Sequence, residues 1–368
     1  MTSDDAVWMA RAVEVGRQGD PSPNPHVGCV IVRDGEVVAE AHHRAAGEDH
    51  AEVAALKLAG PKARGAALFV TLEPCNHQGR TPPCTDALLK AGVARVVIGC
   101  RDPNPNVTGG GVERLRGAGI DVELGVLARE CEALIRPFRK YITTRTAYLS
   151  LKLGMSLDGR IATKTGASKW ITGPEARTRV HRLRAINDAV LVGVSTVMSD
   201  DPQLTVRQGV TGRNPIRVVV DSNLRIPLSS YLVATARETP TCVITTLGSP
   251  AKNELALIDQ GVSVIRVAAN TQGRCDMRAA LRALAEREVV SILCEGGAEL
   301  AGSLLADQLV DELHVFMAPL LLGPRGRPCA VDWAGPDEPS SAPTVDQPEW
   351  ELCGSDAYLS GPVRYPGK

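Results

Sequence analysis

The chain has 368 residues, which at roughly 150 residues per domain favours two domains over one. Its 41 basic and 42 acidic side chains leave a net charge of −1, which excludes a general attraction to nucleic acid or anionic lipid. An aromatic content of 3% argues against a stacking platform for single-stranded nucleic acid, and no apolar run approaches the roughly 18 residues of a membrane helix. The acidic start, Met1-Thr2-Ser3-Asp4-Asp5, is followed by no apolar leader, so a cytoplasmic protein is expected. In that compartment its 10 cysteines are expected as thiols or metal ligands. Cys29, Cys100 and Cys294 sit in apolar, strand-like runs and read as core.

In chain order, Ala6, Met9, Ala10 and Val13 share one helical face. Residues 27–32 and 37–41 flank Asp34-Gly35, a hairpin signal. A helix over 50–59 should end at Gly60, a strand follows at 68–72, and a Pro- and Gly-rich loop fills 73–83. A second helix over 84–91 should end at Gly92, with strands at 95–99 and 121–124 and a helix at 128–136. A polar boundary is expected near 141–147, dividing the chain into domains 1–145 and 146–368. The pattern then restarts, with strands at 149–153, 189–194, 216–220, 242–245, 262–267, 290–294 and 313–317. Helices are expected after Pro174 and at 276–285 and 298–305, and residues 335–348 read as loop. Alternating strands and helices imply α/β domains, each a sheet with helices packed on it.

Three segments carry the first chemistry: His50-Ala51-Glu52, Pro74-Cys75 and Pro83-Cys84. One imidazole and two thiolates suit zinc, and three protein ligands leave the fourth tetrahedral position open, the catalytic arrangement. His50 and Cys84 fall at expected helix starts, where partial positive charge favours thiolate. His50 and Glu52 lie about 200° apart around a helix, so both serve one site only if the helix end points at it. Glu52 would then be a proton shuttle rather than a ligand. His-x-Glu with Pro-Cys and a second Cys is the zinc deaminase pattern, whose usual spacing is Cys-x-x-Cys. Here Asn76-His77-Gln78-Gly79-Arg80-Thr81-Pro82-Pro83 separates the cysteines, and His77 could replace one thiolate.

The second half has no Gly-x-Gly-x-x-Gly after a strand, so a classical dinucleotide fold is not supported. Residues 297–303 mimic part of a P-loop but contain no Lys. Glu295-Gly296-Gly297 stands between an apolar strand and a helix, where backbone N–H groups can cradle a phosphate. Asp221-Ser222 follows a strand of valines, at the strand end where open α/β sheets bind ligands.

The stretch from Thr71-Leu72-Glu73-Pro74-Cys75 to Cys84 resembles the bifunctional deaminase–reductases of riboflavin biosynthesis. Pro23-Asn24-Pro25-His26-Val27-Gly28-Cys29, Asp102-Pro103-Asn104-Pro105, and Lys152-Leu153-Gly154-Met155-Ser156-Leu157-Asp158-Gly159-Arg160 share the resemblance. So do Ser168-Lys169-Trp170-Ile171-Thr172, Asp200-Asp201-Pro202 and Leu204-Thr205-Val206-Arg207, so it spans nearly the whole chain. It implies a cytidine-deaminase-like three-layer α/β/α domain followed by a dihydrofolate-reductase-like α/β domain.

The resemblance further implies that His50, Cys75 and Cys84 hold zinc, Glu52 moves protons and Asn24 contacts the substrate. In the second domain Gly154, Trp170, Thr196, Asp200 and Ser222 would contact NADPH, with Gly297, Ala298, Glu299, Leu300, Ala301, Gly302 and Ser303 around its phosphates. Ser168, Arg184, Leu204, Arg207 and Glu295 would contact a phosphoribosylaminopyrimidine substrate, and the protein would be a homo-oligomer, dimer or tetramer. Two other readings compete: a deaminase of free nucleosides with an idle second half, and a nucleotide sensor whose zinc is structural. A fourth ligand such as His77 would favour the sensor, because structural zinc sites are closed.

Overall fold

A computed structural model of the chain describes residues 3–78, 82–105, 110–326 and 329–367. Residues 79–81 of the loop between the two ligand cysteines therefore lie outside the described residues. The chain divides into two compact units, Met1–Arg145 and Thr146–Lys368.

The first unit runs α1 (Ser3–Gly16), β1 (Gly28–Arg33), β2 (Glu36–His42), α2 (Ala51–Ala59), β3 (Ala67–Leu72) and α3 (Cys84–Ala91). It continues with β4 (Arg95–Cys100), α4 (Gly111–Gly117), β5 (Asp121–Leu124), α5 (Ala128–Leu134) and α6 (Arg136–Thr144). The five strands order as β2-β1-β3-β4-β5, with β1 antiparallel to both neighbours and β3, β4 and β5 parallel. Asp34 and Gly35 both take positive φ between Arg33 and Glu36, the two-residue turn that the hairpin needs. Strands β1, β3 and β4 are buried at nearly every position, so both faces of the sheet are covered. Helices α1 and α5 touch one another and the strands; α2 touches α3, and α3 touches α4.

Two expectations need correction here. The helix expected over 128–136 is two helices, because Ile135 leaves helical geometry and Pro137 sits in the first turn of α6. The polar boundary begins later than expected: α6 carries residues 141–144, and its end is Arg145 in the left-handed conformation.

The second unit runs β6 (Tyr148–Ser156), α7 (Pro174–Ile186), β7 (Ala189–Gly193), α8 (Val194–Asp200), β8 (Ile216–Val220), α9 (Tyr231–Ala234), β9 (Thr241–Thr246) and α10 (Ala251–Asp259). It continues with β10 (Ser263–Val267), α11 (Met277–Ala285), β11 (Ser291–Cys294), α12 (Ala298–Ala306), β12 (Glu312–Ala318), β13 (Thr344–Val345), β14 (Glu349–Cys353) and β15 (Asp356–Arg364). The sheet order is β10-β9-β8-β7-β11-β6-β12-β15-β13, with β14 also on β15. From β10 to β12 every pairing is parallel; β15 runs antiparallel to β12, β13 and β14.

Alternation along the strands builds a core on each face. Ala189 and Leu191 of β7 join one apolar cluster, and Val190 and Val192 join the other. Asp188, just before β7, accepts from the backbone N–H groups of Val290 and Ser291 and so fixes the β7–β11 register. The 335–348 stretch is irregular except for a short helical turn and β13. No helix among the described residues is long and apolar enough to cross a membrane.

Candidate active sites

The first site is built on two helix starts and the loop before the second. His50 is the residue that caps α2, and Cys84 opens α3 directly after Pro83. Cys75 follows the end of β3 by three residues and is drawn in by two backbone bonds. The Cys84 N–H donates to Cys75 Sγ at 3.3 Å, and the Thr85 N–H donates to the Cys75 carbonyl at 3.2 Å. His50 Nδ1 lies 3.2 Å from Cys84 Sγ and 3.6 Å from Cys75 Sγ. The ligand atoms of His50, Cys75 and Cys84 all lie within 4.8 Å of one another.

Zinc at about 2.3 Å from sulfur and about 2.0–2.1 Å from nitrogen, with tetrahedral angles, sets each N–S separation at about 3.6 Å. The donor set therefore fits zinc in chemistry and in spacing. Among the described residues it is the one such cluster. His77 is exposed on the wall of the neighbouring cavity and stands outside the cluster.

The thiols divide their charge unequally. Cys84 and His50 bond to Cys75 and hold it well below the ordinary thiol range, while the bond to Cys75 and burial push Cys84 up. Glu52, in the first turn of α2, is 4% exposed, and burial raises its carboxyl above the ordinary range. A carboxyl raised in this direction binds a proton more readily than an exposed one, as a group that moves protons needs to.

A cavity of about 340 Å³ opens beside these groups, walled by Asn24, His43, His50, Glu52, Cys75, Asp102 and Asn104 among others. Asn24 Nδ2 donates to His43 Nε2 at 2.9 Å, so His43 Nδ1 carries the ring proton and donates to the Asp49 carbonyl at 3.0 Å. That chain leaves the Asn24 side-chain oxygen for other use. Sequence reasoning missed His43. It also missed Phe138, Tyr141 and Ile142, which α6 contributes to the cavity. The i, i+3, i+4 spacing of those three apolar residues was a readable signal, hidden by the polar stretch after them.

Glu73 was quoted in the motif without a role. It is buried and accepts from the backbone N–H of Val112 at 3.2 Å and of Asp102 at 3.4 Å. The first turn of α4 is thereby held against the segment that carries Cys75. A side chain at Gly111 would strike the Pro74 carbonyl oxygen at 2.1 Å, so only glycine allows this approach.

The second unit brings the expected residues together in two groups. Arg184, on α7, forms a bidentate pair with Glu295, Nε to Oε1 at 2.6 Å and Nη2 to Oε2 at 2.9 Å. Its Nη1 donates to the Thr205 carbonyl at 3.0 Å. Burial by itself would raise the Glu295 carboxyl, but Arg184 overrides it and holds the group ionised. Lys152, on β6, faces the same pair, and burial lowers its ammonium pKa. No role had been read for Lys152 from sequence. Leu204 is buried in the apolar core with positive φ, while the Arg207 N–H donates to His181 Nδ1 at 3.1 Å.

The other group borders a cavity of about 460 Å³ lined by Ser222, Glu299, Leu300 and Ser303 together with Gly193, Arg225 and Arg274. Gly297 caps α12, and a side chain there would stand 3.9 Å from Thr196 Oγ1. Ala298 and Ala301 are buried, and a side chain at Gly302 would meet the Asp332 carbonyl oxygen at 1.9 Å. These three residues pack the helix against the protein. Gly154 lies on β6 opposite Phe316. Trp170 is 70% exposed under the Arg177 guanidinium, 4.5 Å from its ring centre. Ser168 is half-buried and Asp200 is exposed at the end of α8; neither is among the residues lining the cavity. The lining offers hydroxyls, the first turn of α12 and two arginines, Arg225 beside Asp221 and Arg274 paired with Glu299, a donor set of the kind that takes the phosphates of a dinucleotide.

Asp158, for which no proton-transfer role was expected, accepts from Ser156 Oγ and from the backbone N–H groups of Leu322 and Gly323. Those bonds lower its carboxyl to about 2 and make it a turn anchor.

Comparison with known proteins agrees with this division. Residues 2–100 match the cytidine and deoxycytidylate deaminase zinc-binding region, and residues 147–359 match the RibD C-terminal domain. The chain thus joins a zinc-region deaminase unit to a reductase unit. It is 43% identical over 364 residues to the riboflavin biosynthesis protein RibD of Escherichia coli, covering 96% of this chain and 98% of that one. The Aquifex aeolicus protein of the same name is 45% identical over 317 residues, 86% of each chain. The solved structure of Acinetobacter baumannii RibD superposes with a TM-score of 0.86 at 37% identity, over 98% of this chain and 99% of that one. A Thermotoga maritima structure described as a diaminohydroxyphosphoribosylaminopyrimidine deaminase/5-amino-6-(5-phosphoribosylamino)uracil reductase gives 0.84 at 36%, over 98% of both chains. This chain belongs to the RibD family of riboflavin biosynthesis proteins.

Proposed function

We propose that the protein performs two consecutive steps of riboflavin biosynthesis. The first unit hydrolytically deaminates 2,5-diamino-6-(5-phosphoribosylamino)pyrimidin-4(3H)-one. The second reduces the ribosyl group with NADPH to give 5-amino-6-(5-phosphoribitylamino)uracil. The observation that carries the reading is the convergence of His50, Cys75 and Cys84 with the buried carboxyl of Glu52 at one cavity.

His50, Cys75 and Cys84 would hold zinc, which when bound would supply Lewis acidity that lowers the pKa of water toward neutrality. Glu52 accepts the proton that water gives up and passes it to the departing ammonia, a task suited to a carboxyl whose pKa is raised. Asn24, oriented by its bond to His43, offers its oxygen to an amino group of the pyrimidine.

In the second unit NADPH supplies the hydride. Ser222, Glu299, Leu300 and Ser303 line its cavity, and Gly154, Trp170, Thr196, Asp200 and residues 297–303 are assigned to it by family resemblance. Ser168, Arg184, Leu204, Arg207 and Glu295 are assigned to the substrate on the same ground. The protein's part there is to hold the ribose carbon against the nicotinamide and to anchor the phosphate. By the same resemblance the reading includes a cytoplasmic homo-oligomer, dimer or tetramer, which light scattering would size.

The test is product mass. Without NADPH the substrate should gain about one mass unit as NH₂ becomes OH, and with NADPH about two more. No shift from zinc-loaded protein would overturn the enzyme reading, and a first shift without a second would overturn the reductase half.

A further inference from the structure

The two cysteine ligands are separated by eight residues, where the common deaminase spacing is two. A short turn fixes the geometry of Cys-x-x-Cys through its own backbone. Across the longer spacing here the two ends meet through the bonds from the Cys84 and Thr85 N–H groups to Cys75, and a group from another element can reinforce them. The structure shows what does so.

Arg114, on α4, reaches the residue directly after each cysteine. Its Nη1 donates to Asn76 Oδ1 at 2.7 Å and to Thr85 Oγ1 at 3.2 Å. The Thr85 hydroxyl in turn donates to Asn76 Oδ1 at 3.0 Å, closing a three-membered ring of hydrogen bonds. The other arm of the guanidinium pairs with Asp86, two residues beyond Cys84. Thr85 is fully buried, and its N–H bonds the Cys75 carbonyl. The same helix start is locked in place by Glu73 and Gly111, so Arg114 projects from a fixed platform.

We propose that Arg114 is a positioning residue for the metal centre: it staples the two ends of the loop and so holds Cys75 and Cys84 at metal-binding separation. This rests on the reading of His50, Cys75 and Cys84 as zinc ligands. Arginine is required because its planar fork can hold Asn76 and Thr85 with one nitrogen and Asp86 with another. Lysine would offer a single point of attachment.

The test is zinc affinity of the full chain, measured by competition with a chromogenic chelator of known affinity. R114A should bind zinc about 10-fold more weakly than the wild type, the lower end of the effect of removing a direct partner of a ligand, because Arg114 acts through the residues next to the cysteines. R114K should recover only a minor part of the loss. The metal-free protein should unfold at nearly the wild-type denaturant concentration, because Arg114 is partly exposed and lies off the apolar core. N76A, which removes the shared acceptor, should weaken zinc in the same direction, and the double variant should be no weaker than R114A alone. Should R114A fail to fold, N76A carries the test. Zinc affinity within about twofold of wild type in the variants that fold would overturn the proposal, since a positioning group costs more than that. Wild-type protein that binds no zinc would be a separate result: it would overturn the metal reading and the proposal with it.

Discussion

At the scale of single residues, the catalytic case turns on Glu52. Its carboxyl sits on a turn of helix that begins with a metal ligand, yet it is not in the ligand cluster. Burying a carboxylate outside the ligand cluster costs stability, a cost that a role in proton transfer accounts for. Burial raises its pKa, which is what a group cycling between acid and base needs. Glu52→Gln keeps the shape and removes the titratable proton. Ammonia release should fall by about 10²–10⁴-fold, while zinc content and reduction of separately supplied deaminated substrate stay at wild-type values. A variant that keeps a tenth or more of the deaminase rate would remove Glu52 from the mechanism.

At the scale of elements, β8 shows how one buried cation organises the chain beside a strand. Beyond its far end Ser222 lines the cavity of about 460 Å³, and its near end carries Arg217, fully buried and with no carboxylate bonded to it among the described residues. The guanidinium instead donates to the carbonyls of Leu232, Thr235 and Thr239 and to the hydroxyls of Thr235 and Thr241. The segment between α9 and β9 is thereby folded around one cation. Arg217→Met should destabilise the protein by about 3 kcal/mol, because five charged hydrogen bonds are lost and the buried Leu232 carbonyl and the half-buried carbonyls of Thr235 and Thr239 each lose a donor. Urea unfolding followed by circular dichroism would measure it, and a change under about 0.5 kcal/mol, the level of an ordinary surface substitution, would show that the loop holds itself.

From the sequence Pro215-Ile216-Arg217-Val218, the strand was legible but the burial of its arginine was not, because the partners lie 15–24 residues away. The same contrast holds in the first unit. His50, Cys75 and Cys84 could be read because each sits beside a local signal, a helix start or a preceding proline. Helix α4 was missed because its seven residues begin and end in glycine, and α8 because valine, serine and threonine dominate it. With α4 unseen, the partners of Glu73 and the contacts of Arg114 had no place in the reading. The β14–β15 hairpin was also missed; four of the five residues of β14 are exposed, so no burial pattern marks it.

At the scale of the whole molecule, the described residues that line each of the two cavities come from one unit, between 23 and 142 for the first and between 193 and 303 for the second. Neither set of lining residues needs the other unit to be complete. The deaminated intermediate must then leave one site and reach the other, and separate protein molecules should be able to share the work. Glu52→Gln supplies a chain defective in the first step. For the second step, Arg184→Met with Glu295→Gln removes both charges of the buried pair together, which avoids stranding either one in a low-dielectric setting. Each variant alone should yield end product from the starting pyrimidine at no more than about a hundredth of the wild-type rate. An equimolar mixture with NADPH should yield it after a lag that shortens as protein concentration rises, followed by liquid chromatography and mass detection. If each variant keeps its one activity and the mixture still makes no product, the intermediate does not travel through solvent, and the two units must pass it on within one assembly.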